Sequence, residues 1–429
     1  MILEFSAENF ECIKDKITLS FLTKKKTDLD EYYIIEPIRN LKILKLALIY
    51  GANASGKTTI LRALNFLKKI MIHSFNDKSQ QFDFEPFILD ENIKNTKFHI
   101  EFFHNEKRFY YEVELNKTAI VKESMYYSKI KKTKVFERNT NLDTQFTNIL
   151  FGSNIKMKKS AIDALSNNTL INDTVLAAYN KTNIESPILQ EVFEWFKNVL
   201  KPIIYPQTNL TDYIIKKIKN DELNKREVVE ILRKADFSIT DFAINEEKIE
   251  FSNLPPLLKE LIIKTDNSEK DIKNITNLNL EFEHTYKNKK FVLDYEKESA
   301  GTKRYYQLAG IVAEMIKYPS IFPIDELESS LHPDLFKHLL LTFLVNSKNS
   351  QLIATTHNRD FFTEKDILHL NSIWFCEKSP NFGTELYSLA DFSSSEVRKT
   401  KSIYKMYKIG KLGAVPNLSN YYLDFSDEN

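Results

Sequence analysis

The chain has 429 residues, 42% of them hydrophobic and 28% charged, and its 60 basic and 59 acidic side chains leave a net charge of +1. That make-up belongs to a folded chain of one large domain or two to three smaller ones, and it excludes intrinsic disorder. No apolar run approaches the roughly 18 residues of a membrane span, Met1–Phe5 lacks the basic start of a secretory signal, and the charge balance does not advertise nucleic-acid binding. Cys12 and Cys376 are far apart and in no metal spacing, which fits a reducing cytoplasm and excludes a disulfide scaffold or a cysteine zinc site.

In chain order, Leu3 and Phe5, then Ile17, Leu19 and Phe21, alternate as strands of an opening hairpin. A charged connector, Lys24–Asp28, follows. Residues 43–50 are mostly apolar and end at a glycine, as a buried parallel strand does. From about Lys57 to Met71 the apolar positions Ile60, Leu61, Leu64, Leu67 and Ile70 share one broad helical face. Phe98, Ile100 and Phe102 alternate, His104–Lys107 makes a turn, and Phe109, Tyr111, Val113 and Leu115 return. From about 155 to 235 the chain is Asn- and Lys-rich with helical periodicity, read as a helical insertion. Strand signals resume at Phe242–Phe251 and Leu278–Asp294. From Ser299 onward helices and apolar strands alternate, an α/β pattern. The expected segments are 1–152, an N-terminal lobe with a β subdomain, 153–235, the insertion, and 236–429, a C-terminal lobe.

Glycine is scarce, 8 residues in all against a usual ~7% of a chain, so the position of each one matters. Gly51-Ala52-Asn53-Ala54-Ser55-Gly56-Lys57-Thr58 fits the phosphate-binding loop pattern G-x-x-x-x-G-K-[ST] without mismatch. Its glycines let the backbone wrap a phosphate, and the next helix offers its positive end to the same anion. The expected ATP-binding set is Gly51, Asn53, Ala54, Ser55, Gly56, Lys57, Thr58 and Thr59, with Lys57 on the β- and γ-phosphates and the Thr58 hydroxyl on Mg²⁺. Ile321-Phe322-Pro323-Ile324-Asp325-Glu326 is an apolar strand ending in two acids. Asp325 would hold the metal shell and Glu326 would polarise the attacking water. Pro323 is out of place in a central strand, so either a bulge sits there or the ladder begins at Ile324. Glu298-Ser299-Ala300-Gly301-Thr302 puts a natural N-cap, Ser299, before a helix start near Thr302, a geometry that also binds phosphate. His357 closes the apolar run from Leu352 and is a candidate γ-phosphate contact.

The order of these motifs resembles the ABC-type ATPase superfamily, with Walker A, signature Ser-x-Gly, Walker B with an adjacent Glu, and switch histidine. Asp325-Glu326 followed by Ser329-Ser330-Leu331-His332-Pro333 is similar to the Walker B and D-loop of the RecF/SMC-like branch. Within that branch the chain resembles the AAA15-type ATPases in Asn9-Phe10, in Leu46–Asn53, in Glu298–Thr302 and in the tail Gly410-Lys411-Leu412-Gly413-Ala414-Val415-Pro416. The resemblance implies an α/β P-loop ATPase head with an antiparallel β subdomain and a helical insertion. It implies hydrolysis of ATP with Mg²⁺ by a homodimer or higher homo-oligomer, in which Ser299 and Gly301 of one copy cap the γ-phosphate held by the other. Glu326 and His357 would be the catalytic pair, and Thr58 and Asp325 the metal ligands.

Family members include ATPase subunits of anti-phage defence systems, which act beside a separate effector, a nuclease or a toxin. The full transporter signature Leu-Ser-Gly-Gly-Gln is absent, and the 72 residues after His357 show no acidic nuclease cluster, so a destructive output is expected from a partner. The lysine runs Lys129–Lys134 and Lys156–Lys159 read as solvated loops, so charge does not indicate a nucleic-acid partner. Two alternatives stay open: a RecF/SMC-like DNA-binding repair ATPase, and a scaffold that binds nucleotide without hydrolysing it.

Overall fold

The computed structural model describes residues 1–23, 27–89, 95–235, 237–250, 274–287, 289–364, 366–392 and 403–416. The connector at Lys24, the Asn288 turn position and the tail beyond Pro416 lie outside these residues. The strands are β1 (Ile2–Glu8), β2 (Ile17–Ser20), β3 (Ile34–Ile35), β4 (Ile43–Leu44), β5 (Leu46–Gly51), β6 (Thr96–His104), β7 (Lys107–Leu115), β8 (Ile120–Ser128) and β9 (Lys132–Asn141). They continue with β10 (Phe146–Phe151), β11 (Ile239–Glu250), β12 (Asn274–Tyr286), β13 (Lys289–Asp294), β14 (Ile321–Ile324), β15 (Gln351–Thr355), β16 (Ile373–Lys378) and β17 (Thr384–Ser388). The chain forms two compact units. One comprises Met1–Pro206, Tyr318–Glu328 and Leu344–Asn429; the other comprises Gln207–Lys317 and Ser329–Phe343. The segment 153–235 is thus shared between them at residue 206. Among the described residues no helix is long and apolar enough to cross a membrane.

The first unit holds two large sheets. One is antiparallel, in the order β10-β9-β8-β7-β6-β1-β2. Its β6–β7 hairpin pairs His104 with Lys107, and the two residues between, Asn105 and Glu106, have φ of 44° and 60°. A two-residue turn needs that left-handed geometry to match the twist of the strands. The other sheet runs β14-β15-β5-β16-β17, parallel from β14 to β16. Every residue of β5 is buried, as a strand covered on both faces requires. The phosphate-loop strand β5 is separated from the acid-ending strand β14 by β15. With the antiparallel sheet beside it, this is the α/β arrangement with an antiparallel β subdomain that the resemblance implied.

A set of hydrogen bonds and an aromatic cluster help to join the sheets. The buried side chain of Gln351 accepts from Ile2 N (2.6 Å) and donates to Ile2 O (2.9 Å) and Leu44 O (3.0 Å). Phe66, on the helix Lys57–Ile72, stacks among Phe10, Phe84 and Phe98 at centroid distances of 5.0–5.6 Å. Asn9 is fully buried, has φ of 55°, and accepts from Phe87 N at 2.9 Å, so the Asn9-Phe10 opening is a structural corner. Pro323 needs neither of the expected remedies. Its strand pairs with β15 in unbroken register from Ile321 to Ile324. Its carbonyl faces away from β15 and accepts from Ile204 N at 2.9 Å. A strand residue's N–H points the same way as its C=O, so the missing donor falls on the side of the 200–204 segment, which meets β14 only at isolated bridges, and the ladder with β15 loses no bond.

The second unit packs the sheet β11-β12-β13 with helices that include Thr211–Lys219, Lys225–Lys234 and Ala300–Lys317. The helices expected in 155–235 and the strands expected near 242 and 278 are present. At Gly310 an added Cβ would lie 2.6 Å from Ile214 Cδ1, so the absence of a side chain there lets the helices approach.

The antiparallel sheet carries a wholly buried ion pair, Arg138–Glu123, at 3.2 Å. Arg138 also donates to the carbonyls of Leu170, Ile171 and Asp173, while Glu123 accepts from Val175 N and from Tyr111. Burial pushes the Glu123 carboxyl up, and Arg138 opposes that shift. Removing one partner strands the other charge, so Arg138→Met should cost about 3–5 kcal/mol. Adding Glu123→Gln should recover a large part of that loss. Urea denaturation of the three proteins measures both steps, and an Arg138→Met protein as stable as wild type would show that the pair is not a structural tie.

Candidate nucleotide-binding site

The loop after β5 can be built only with glycine at its two ends. A Cβ on Gly51 would sit 2.3 Å from Cys376 O and 2.6 Å from Ser55 Oγ. Gly56 has φ of +107°, and a Cβ there would sit 2.2 Å from Thr384 Oγ1. Ala54 is also left-handed, at φ 60°. Left-handed residues among right-handed ones curl a backbone so that successive amides face a common centre, the geometry that receives an anion. Asn53 and Ala54 are exposed at the tip, whereas Ser55 is buried and its carbonyl accepts from Thr384 Oγ1 at 3.0 Å.

Lys57 begins the helix and is almost fully buried. Its ammonium donates to the carbonyls of Gly51 and Ala52, both at 2.9 Å. Burial lowers its pKa, and the acids Asp325, Glu326 and Glu328 work against that. Thr58 Oγ1 lies 3.0 Å from both carboxylate oxygens of Asp325. A hydroxyl beside a carboxylate is a donor set that suits Mg²⁺, which takes one or two protein oxygens and fills the rest with phosphate and water. The residues present therefore fit that ion. Thr59 turns elsewhere: its hydroxyl accepts from Cys12 Sγ at 3.1 Å.

The two acids after β14 are organised by a residue the sequence reading passed over. Thr355 Oγ1, at the end of β15, donates to Asp325 Oδ1 at 2.6 Å and accepts from Glu326 N at 2.8 Å. Asp325 is buried, while Glu326 is exposed and has φ of 45°. A non-glycine residue held in that region costs on the order of 1–3 kcal/mol, a strain that clusters at functional sites. Glu328 is a second acid at this place that the sequence motifs did not single out. Its carboxylate accepts the backbone N–H of His357 in a short hydrogen bond. The His357 ring is largely exposed, yet partial desolvation and then the Lys57 ammonium hold its imidazole below the ordinary value. The only sequence signal for Thr355 was a hydroxyl closing an apolar strand.

A cleft of about 700 Å³ opens beside the loop, lined by Gly51, Ala52, Asn53 and Ser55, by His357 and Arg359, and by Ala414–Pro416 from the C-terminal segment. That segment is tied down by Tyr387 to Leu412 O (2.9 Å), Tyr407 to Ala414 O (3.0 Å), and Ala414 N to Glu377 (2.8 Å). Gly413 has φ of +66° and would clash with Tyr387 and Glu377 if it bore a Cβ. The tail quoted above for its resemblance thus forms one wall of the cleft.

Ser299 and Gly301 belong to the second unit. Ser299 caps the helix Ala300–Lys317, its Oγ accepting from Thr302 N at 3.0 Å. Glu298 just before it bonds His284 Nε2 at 2.6 Å, which fixes the entry of the chain into the helix. Gly301 faces the carbonyl of Ser330, which a Cβ would meet at 3.0 Å.

Among solved structures the chain is similar to SMC head domains, at low identity. The head bound to the C-winged helix domain of ScpA matches at 14% identity and a TM-score of 0.45, covering 92% of this chain and 99% of that one. The SMC head domain from Thermotoga maritima matches at 14% identity and 0.43, covering 90% and 98%. No curated protein matches. A family model described as "AAA domain, putative AbiEii toxin, Type IV TA system" matches residues 46–363, from the phosphate-loop strand to just past His357 and well over half of the chain, and the chain belongs to this family.

Proposed function

We propose that the protein is an ABC-like ATPase that converts ATP to ADP and phosphate. The observation that carries this reading is the Thr58–Asp325 pair, which joins a phosphate loop to an acid strand, with exposed Glu326 as the next residue. In this reading Gly51–Thr58 and Lys57 receive the triphosphate, and Thr58 and Asp325 would hold Mg²⁺, which would supply positive charge against the phosphates. Glu326 accepts a proton from the attacking water and orients it. His357, whose imidazole desolvation and the Lys57 ammonium hold below its ordinary value, donates a hydrogen bond toward the γ-phosphate. Catalysis of this kind is positioning and charge stabilisation, and Thr355 supplies the positioning by fixing both acids from one hydroxyl.

Two copies close over two nucleotides, Ser299 and Gly301 of each facing the phosphate loop of the other. The state of this dimer gates a separate effector in an antiviral defence system, as the resemblance to AAA15-type ATPases implies. The helices of 153–235 and the C-terminal tail are the candidate effector surfaces.

Lys57→Ala should bind ATP about a hundredfold more weakly by calorimetry while keeping the wild-type circular dichroism, because the ammonium is held at the loop carbonyls of Gly51 and Ala52 and adds no packing to the sheets. Unchanged affinity in the folded variant would remove the loop from the site. Glu326→Gln should keep ATP affinity and lose about 10²–10⁴ in turnover, accumulating as an ATP-bound dimer in light scattering. Wild-type turnover would mean that another acid activates the water. Ser299→Arg should bind nucleotide normally as a monomer but fail to dimerise and to hydrolyse. If it hydrolyses ATP at the wild-type rate, the composite site is wrong and Ser299 is only a helix cap.

A further inference from the structure

β10 ends the antiparallel sheet, so one of its two edges has no strand beside it. It pairs with β9 in unbroken register from Phe146–Asn141 to Phe151–Phe136, and the next residue, Gly152, donates its N–H to Val135 O at 2.9 Å. Hydrogen-bonded and non-bonded pairs alternate along an antiparallel ladder. Phe146, Asn148 and Leu150 therefore turn their backbone groups to β9, while Thr147, Ile149 and Phe151 turn theirs to the open edge. Among the described residues none of those three N–H and three C=O groups has a partner. Open edges are usually blunted by lysine, proline or a bulge. The strand Phe-Thr-Asn-Ile-Leu-Phe has none of these.

The side chains indicate what fits there. Thr147 and Ile149 are buried on one face of β10. On the other face Phe146 is 68% exposed and Leu150 52%, with exposed Asn148 between them. Apolar, Asn, apolar reads the same in both directions. An identical strand laid antiparallel matches it, Phe146 facing Leu150 of the other copy and Asn148 facing Asn148. These are the non-bonded pairs, whose side chains approach most closely, while Thr147 and Ile149 exchange the backbone bonds. Charge sets the same direction. Asp143 precedes the strand and Lys156, Lys158 and Lys159 follow it, all exposed and none in an ion pair among the described residues. Antiparallel pairing brings the acidic end of each copy to the basic end of the other, and parallel pairing would bring like charges together.

We infer that the open edge of β10 is an interface that takes β10 of a second copy of this chain, antiparallel and centred on Asn148, so that two antiparallel sheets become one. One patch meets itself, as a two-fold dimer requires. The interface needs no nucleotide and uses neither Ser299 nor Gly301, so it does not rest on the composite-site reading. Where a nucleotide-closed dimer also forms, the two interfaces together link chains beyond a dimer.

The test uses the full chain without nucleotide. Light scattering at micromolar concentration should give the mass of two chains, for wild type and for Lys57→Ala alike. Asn148→Lys sets two ammonium groups across the two-fold axis, with Cα atoms about 4.5 Å apart. It should be a monomer with the wild-type circular dichroism. Leu150→Lys should weaken the dimer about tenfold, because two apolar contacts are lost in each dimer. Asn148→Cys should form a covalent dimer on mild oxidation, since that separation lies within the disulfide range of about 4.4–6.8 Å. Wild type, with its own Cys12 and Cys376, and Ile130→Cys, exposed at the turn between β8 and β9, should not cross-link under the same treatment. A monomeric wild type together with no cross-link at Asn148→Cys would overturn the proposal and leave the edge to water or to a strand of another protein. A dimer whose affinity is unchanged in Asn148→Lys and Leu150→Lys would overturn it too, because its two-fold axis lies elsewhere. Failure of the ATP-driven dimer bears on the composite site alone, and the nucleotide-free dimer bears on β10 alone.

Discussion

The Asp325 carboxylate is the point on which the site turns. It ends β14, lies buried, and is shared by the hydroxyls of Thr58 and Thr355. A buried carboxylate is tolerable only when its oxygens are occupied, and these two hydroxyls occupy them. They come from the helix after β5 and from the end of β15, so one group holds three neighbouring elements of the parallel sheet in register. The same Thr355 hydroxyl takes the Glu326 amide, which pins the following residue in its left-handed turn and directs its carboxylate to solvent. Moving any of the three strands by one residue would dissolve the arrangement, because side chains alternate between faces with a period of two.

The remaining architecture keeps those strands from moving. Gln351 opens β15 and uses both ends of its amide on β1 and on the residue at the end of β4, so the strand that ends in Thr355 is anchored at its start to the antiparallel sheet. The aromatic cluster around Phe66 fastens the phosphate-loop helix to the same sheet. Arg138 and Glu123 tie that sheet to the 170–175 segment. Polar ties of this kind add little net stability, but they penalise every alternative packing that would leave them unpaired. The proposed nucleotide site, which would need close placement of its phosphate ligands, gains more from that selectivity than from extra stability.

The second unit presents a different economy. Gln307, Tyr295 and Thr211 satisfy one another within its core, and Glu314 is met by Tyr213 and Lys217.

The sequence by itself determined what short-range physics controls. A phosphate loop needs its glycines at fixed spacing, an amphipathic helix shows its period within a few turns, and a serine caps the helix that follows it, so Gly51–Thr58, the helix from Lys57 and the Ser299 cap were all legible. So was the hairpin turn at Asn105-Glu106. Partners far apart in the chain were not. Thr355 meets Asp325 across 30 residues, Gln351 meets Ile2 across 349, and the Ala414–Pro416 wall lies against a loop that begins at Gly51. A hydroxyl, an amide or a small residue carries no local mark of what it will touch, because packing makes that choice after the strands are ordered. Pro323 was misjudged for the same reason: whether a missing N–H matters depends on which side of the strand carries the continuous ladder, here β15 and not the 200–204 segment, and only the tertiary structure decides that.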